Sequence, residues 1–304
     1  MKLLVSPTVT LPSKLLIVKQ PQWITVSIAV LFIISIFLFG RTVPAKKNIT
    51  VDAHHENDGH DHGASSGISI DSILITAKKQ LTAEQVTRLS MLENSISRGD
   101  VEEQQLKVYH QLSHFWGDSM RFFPPYAWYE AEAARLENSE KSLTFAAHLF
   151  LDNLQQEQNL ELLRWEAMQA KDLFERSLKI NPDNDSTKIG LGACYLFGNI
   201  APNPMEGISK IMEVVSKDST NVYAQLTLAK GSLISGQTDK AINRLKTVNR
   251  LYPGNIEAIL MLAEVFERKG DKTIAASWYR KSLEQIKRPD ARAEIEKRIA
   301  ELSK

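Results

Sequence analysis

Cysteine is almost missing from this chain: Cys194 is the one thiol in 304 residues. No disulfide can therefore form within it, and a lone thiol on an apolar helix reads as a small core residue. An excess of either charge is missing as well. The 37 basic and 36 acidic side chains leave a net charge of +1, which offers neither a nucleic-acid footprint nor a trap for acidic substrates. Glycine and proline are modest, 14 and 11 residues, and cluster between apolar runs, as long helices joined by short turns require. Also absent are a glycine-rich phosphate loop, a nucleophile elbow, a paired-histidine zinc helix and a calcium loop. His110 and His114 stand one helical turn apart in YHQLSHFW, so both could face one metal. No acid lies between them where a metalloprotease places its base, and they read as surface or packing residues. No enzyme and no cofactor are expected.

What is present begins with an uncharged stretch between Lys19 and Arg41. Its centre, Trp23 to Gly40, reads WITVSIAVLFIISIFLFG. As a helix this run spans about 27 Å, close to the ~30 Å hydrocarbon core of a bilayer. Only Thr25, Ser27 and Ser35 interrupt it, and Trp23 suits the headgroup boundary. The expectation is a single transmembrane helix. The alternative is a cleaved signal peptide ending near Val43-Pro44-Ala45, disfavoured by the length of the run and of the segment before it. Lysines and arginines balance on its two sides, so the positive-inside rule gives a tie. The short leading tail argues for a C-terminal domain outside the cytoplasm.

The next segment is polar and lacks helical periodicity, as a tether does. It carries HHENDGHDH, in which His54, His55, His60 and His62 are candidate ligands for weakly held divalent metal. The spacing fits no closed zinc site, and a solvated linker is the plainer reading.

Further on, one period dominates. Asn221 and Asn255, Leu228 and Leu262, Gly236 and Gly270, and Ala241 and Ala275 are each 34 residues apart. Physical roles follow from the positions. Leu228 and Ala229 lie where two helices approach, Gly236 ends the first helix, Ala241 keeps the second close, and Pro253 breaks the chain before the next unit. In Ile256–Pro289 the same places hold Leu262-Ala263, Phe266, Gly270-Asp271, Ala275, Tyr279 and Leu283. An earlier unit, about Asp185 to Asn221, carries Leu191-Gly192, Tyr195, Gly207, Ile211 and Val214, with extra residues in Gly198–Pro204. Before it, Ala170, Phe174, Leu178 and Pro182 mark a second helix, whose partner is read as Lys141–Asn153.

These residues resemble the tetratricopeptide repeat family. The resemblance covers about Ala167–Pro289, with Ser219 and Ser282 as departures, and fades upstream toward Leu81. It implies an all-α solenoid of helical hairpins, preceded here by the single transmembrane helix. The expected parts are a tail at 1–21, the span at 22–40, a histidine-bearing linker at 41–67, degenerate hairpins at 68–166, the repeats at 167–289 and a capping helix at 290–304. In that family the first helices line a concave groove that takes protein or peptide segments. Carried over, the groove positions are Ile189, Leu196 and Phe197, then Tyr223, Leu226, Lys230 and Leu233, then Glu257, Leu260, Glu264 and Arg268. The aromatic run Phe115–Tyr126 reads as a sealed joint between hairpins or a docking loop.

The function expected is a membrane-anchored scaffold binding a protein or peptide partner, without nucleic acid. Two alternatives stand beside it: an envelope assembly factor of the cytochrome c maturation kind, and a metal-handling protein using the histidine tract.

Overall fold

The computed structural model describes residues 67–96 and 101–304, all within the second of two units, Ala64–Lys304. The apolar run at 23–40 and the histidine tract at 54–62 lie outside the described residues. So does the Arg98-Gly99-Asp100 turn. Among the described residues no helix is long and apolar enough to cross a membrane.

Thirteen α-helices follow one another without a strand among the described residues. They are α1 (Ile70–Lys78), α2 (Ala83–Ile96), α3 (Glu102–His114), α4 (Phe123–Glu137), α5 (Glu140–Asn153), α6 (Leu160–Ile180) and α7 (Asp185–Phe197). Then come α8 (Met205–Lys217), α9 (Val222–Ile234), α10 (Thr238–Leu251), α11 (Ile256–Arg268), α12 (Lys272–Ser282) and α13 (Pro289–Leu302). Helices pair with their sequence neighbours, α3 with α4, α5 with α6, α7 with α8, α9 with α10 and α11 with α12. The result is a stack of antiparallel hairpins, the all-α repeat architecture expected from the period.

The starts of the first helices in the last four hairpins, α5, α7, α9 and α11, are set by one device. Ser139, Asn184, Asn221 and Asn255 each sit extended before a helix and accept a hydrogen bond from the backbone N–H three residues on, at 2.8–3.1 Å. Each satisfies a donor that the helix leaves open, an effect of about 1 kcal/mol. The ends are set by glycine where the pattern placed it. Gly236 and Gly270 take φ of 74° and 85°, a region closed to most side chains, and the chain reverses there into α10 and α12.

Between paired helices the contact is made by small residues. Ala229 and Ala241, and Ala263 and Ala275, are fully buried at the two later hairpins. In the α7–α8 hairpin both places are glycine, Gly192 and Gly207, and the backbones come closer still. Four apolar clusters run along the stack. Phe115, Trp116 and Tyr129 anchor the first, Phe150 and Phe174 the second, Ile189 and Ile211 the third, and Leu245 and Leu262 the last. Cys194 lies in the second cluster, and burial pushes its thiol well above the usual range.

Two elements show what the sequence reading left open. Helix α6 begins at Leu160, capped by Asn159, whose Oδ1 accepts from Glu161 and Leu162, well before the repeat positions that begin at Ala170. In the aromatic run, α3 passes into a π-helical turn, Phe115–Ser119. Phe115 and Trp116 are buried there, with rings edge to face at 5.3 Å, so this part seals the joint between hairpins. Glycine is needed at 117 because a Cβ would sit 2.8 Å from the Tyr126 ring.

Candidate functional site

A groove of about 450 Å³ opens across the stack between α5 and α11. Helix α5 supplies Leu151 and Asp152, and the turn after it Gln155 and Gln156. Helix α7 supplies Ala193 and Phe197, α9 supplies Tyr223, Leu226, Thr227 and Lys230, and α11 supplies Glu257. Every lining residue therefore comes from the first helix of a hairpin or from the turn that follows α5. This is a consequence of register: residues spaced by one repeat face the same side of the stack.

The floor is apolar and the rim polar. Leu151 and Ala193 are buried and Leu226 is 6% exposed, while the Phe197 and Tyr223 rings are half-buried. The Tyr223 ring lies 6.1 Å from that of His148, whose other side meets Phe174 edge to face at 5.1 Å. Burial holds the His148 imidazole below its ordinary pKa, partly opposed by Asp152 one turn on. Burial likewise pushes the Tyr223 phenol up. On the rim, Lys230 Nζ lies 2.7 Å from Glu257 Oε1, joining the first helices of two hairpins. Thr227 donates its hydroxyl to the Tyr223 carbonyl at 2.7 Å.

The wall formed by Gln155 and Gln156 is held by a buried carboxylate. Both oxygens of Glu166, on α6, accept from Asn153 Nδ2 at 3.0 and 3.1 Å. That contact ties the end of α5 to α6 and closes the turn between them. Burial first, and the nearby Glu157 next, push the Glu166 carboxyl up to about 7, with the Asn153 hydrogen bond acting against them.

Of the groove residues named from sequence, Phe197, Tyr223, Leu226, Lys230 and Glu257 meet in this one hollow. Ile189 does not. It is fully buried among Ile211, Val214, Ala224 and Leu228, because α8 and α9 close over that face of α7. Leu196 packs partly in the same cluster, where its methyls approach Gly231, and Leu233 packs partly against the α9–α12 cluster. Leu260 is half-buried, and Glu264 and Arg268 are placed with it outside the hollow.

The sequence reading missed Ala193 and the α5 contribution. Ala193 had a signal, since it stands 37 residues before Lys230, the spacing that separates the caps Asn184 and Asn221. Asp152, Gln155 and Gln156 had none in the 34-residue period, because the caps Ser139 and Asn184 are 45 residues apart.

The paired histidines do not converge on one metal. His114 Nδ1 lies 2.8 Å from Asp118 Oδ2, and His110 Nδ1 lies 3.7 Å from Glu130 Oε1, so each turns to a different carboxylate. Among the described residues no three His, Cys, Asp or Glu side chains are placed to hold a metal. A second hollow, about 390 Å³, is bounded by Phe122, Phe123 and Tyr126 with His114, Asp118, Arg121 and Glu130.

Compared with known proteins by sequence, the chain matches no family model and no curated protein. Compared by fold, it is similar to solved helical-repeat structures. MamA from Desulfovibrio magneticus RS-1, residues 41 to the end, is 21% identical, covering 62% of this chain and 96% of that one, with a TM-score of 0.39. YrrB, described as a TPR protein with an unusual peptide-binding site, is 14% identical over 68% and 97%, with a TM-score of 0.38. A thermophilic TPR protein from Thermus thermophilus is 17% identical over 66% and 98%, with a TM-score of 0.40. The neighbours thus include tetratricopeptide proteins, at a level of likeness that assigns no residue and transfers no function.

Proposed function

We propose that this chain is a membrane-anchored scaffold that holds an extended protein or peptide segment in the groove of its hairpin stack, and that it is not an enzyme. One observation carries the reading. The groove is built solely from first helices and the turn after α5, with an apolar floor and a rim of amides, a hydroxyl and an ion pair. Such a surface suits an extended chain, whose alternate side chains enter apolar hollows while its backbone meets polar groups.

The test is selection of a displayed random-peptide library on the full chain in detergent micelles. Recovered peptides are expected to lose binding, about tenfold or more, to a Gln155→Trp variant that fills the groove from an exposed wall position. Substitution of the exposed Met168, which does not line the groove, should leave them bound. Peptides indifferent to Gln155→Trp would sink the reading.

The anchor rests on the uncharged run Trp23–Gly40, and the hairpins are placed outside the cytoplasm. A compartment-sensitive reporter fused after Lys304 reports the side directly. A cytoplasmic signal overturns the orientation and redirects the search to partners at the inner face.

A further inference from the structure

We propose that the groove selects a segment carrying a basic side chain, seated between Asp152 and the rings of Tyr223 and Phe197. This rests on the reading of the groove as a peptide site and names its chemistry. Three charged residues line the groove: Asp152, Lys230 and Glu257. Lys230 and Glu257 neutralise one another at 2.7 Å. Asp152 is exposed and makes no ion pair or hydrogen bond among the described residues, so its charge is left over. Burial disfavours the charged form of His148, one turn before it, and so works against a compensating cation there. The groove therefore carries one net negative charge at the α5 end.

Both aromatic rings line the same groove, and the Tyr223 ring is close enough to Asp152 to feel its charge. A ring face attracts a cation, the more so where water is excluded, and a nearby carboxylate adds a charge-assisted hydrogen bond. The amides of Gln155 and Gln156 make no side-chain hydrogen bond among the described residues and stand free on the same wall. They offer acceptors to a guanidinium or ammonium and donors to the backbone that carries it. An acidic side chain meets the opposite situation. Its one cation, Lys230, is already paired, and Asp152 repels it. Charge complementarity thus separates basic from acidic segments even though both could use the apolar floor.

Three labelled nonapeptides of leucine and glutamine, differing only at the central residue, test this on the full chain in micelles by fluorescence anisotropy. The centre is arginine, its uncharged isostere citrulline, or glutamate. The arginine peptide should bind about fivefold or more tighter than the citrulline peptide, with glutamate weakest. Asp152→Asn should reduce the arginine advantage to what the rings alone supply and leave citrulline binding where it was. Equal binding of all three, tighter glutamate binding, or an arginine advantage undiminished by Asp152→Asn each overturns the charge selection while leaving the groove standing. If none of the three binds, or if Gln155→Trp changes none of them, the peptide-groove reading falls and this inference with it.

Discussion

Glu166 shows how much one side chain can set. It is fully buried on α6, and its one hydrogen-bond partner among the described residues is the Asn153 amide. A carboxylate in such a place is costly unless fully compensated. Its pKa rises from the ordinary 4.5 to about 7. Between those values the folded chain holds a proton that the unfolded chain releases. The contribution to stability is therefore highest below about pH 4.5, falls as pH rises toward 7, and is level above that. Glu166→Gln keeps an oxygen for Asn153 Nδ2 and removes the titration. It should stabilise the chain by about 1–3 kcal/mol at pH 8 and by little at pH 4.5. Thermal unfolding of both forms across that range measures the difference, in which the other carboxylates cancel. A gain independent of pH would show that the proton is not the cause. Because glutamine keeps one acceptor for Asn153 Nδ2, the tie between α6 and the end of α5 should survive the substitution.

At the scale of the helix pair, the α7–α8 hairpin is the tightest test of packing. A Cβ on Gly192 would lie 2.6 Å from the Gly207 carbonyl oxygen and 2.6 Å from Ile211 Cγ1. The carbonyl is backbone and cannot swing away, so the two helices must part. Gly192→Ala should cost about 1–3 kcal/mol, even though alanine is the better helix former. The equivalent places in the α9–α10 hairpin hold Ala229 and Ala241, both fully buried, where alanine is the fitted residue. A thermal midpoint unchanged by Gly192→Ala would mean that the backbones are not in contact as described. This pair also marks how far the sequence could be read. The small residues and the turns at Gly236 and Gly270 were legible because local geometry dictates each residue type, whereas Asn221 and Asn255 stood out by their spacing and only the structure shows them as caps. The groove was legible only in part. Burial of Ile189 depends on α8 and α9 closing over α7, and the place of Asp152 depends on an irregular spacing between Ser139 and Asn184. Neither is a property of one helix, and periodicity describes one helix at a time.

At the scale of the whole stack, each hairpin buries one face against the next, and the face beyond α12 meets α13. Helix α13 fills that place without a fully buried residue of its own. Leu302 is half-buried and packs against the α9–α12 cluster, and Ile295 and Ile299 are half-buried on the same helix. Two arginines fasten it. Arg292 donates to the carbonyls of Leu283 and Ile286, at 2.5 and 3.0 Å, satisfying oxygens left open where α12 ends. Arg298 pairs with Glu267, which also accepts from the Tyr279 hydroxyl at 2.9 Å. The ion pair is exposed on its arginine side, where water and salt screen it, so Arg298→Ala should lower the melting temperature only slightly. Ending the chain after Lys287 is different in kind. It uncovers the apolar edge of the final cluster and leaves the α12 carbonyls open. The chain cut there should unfold at a lower temperature than Arg298→Ala. Against the uncut chain in the same micelles, it should also associate as concentration rises. Thermal scans and light scattering on the three forms decide it. If the truncated form melts with the parent and scatters as one particle, α13 is an appendage and the stack is closed by α12 itself.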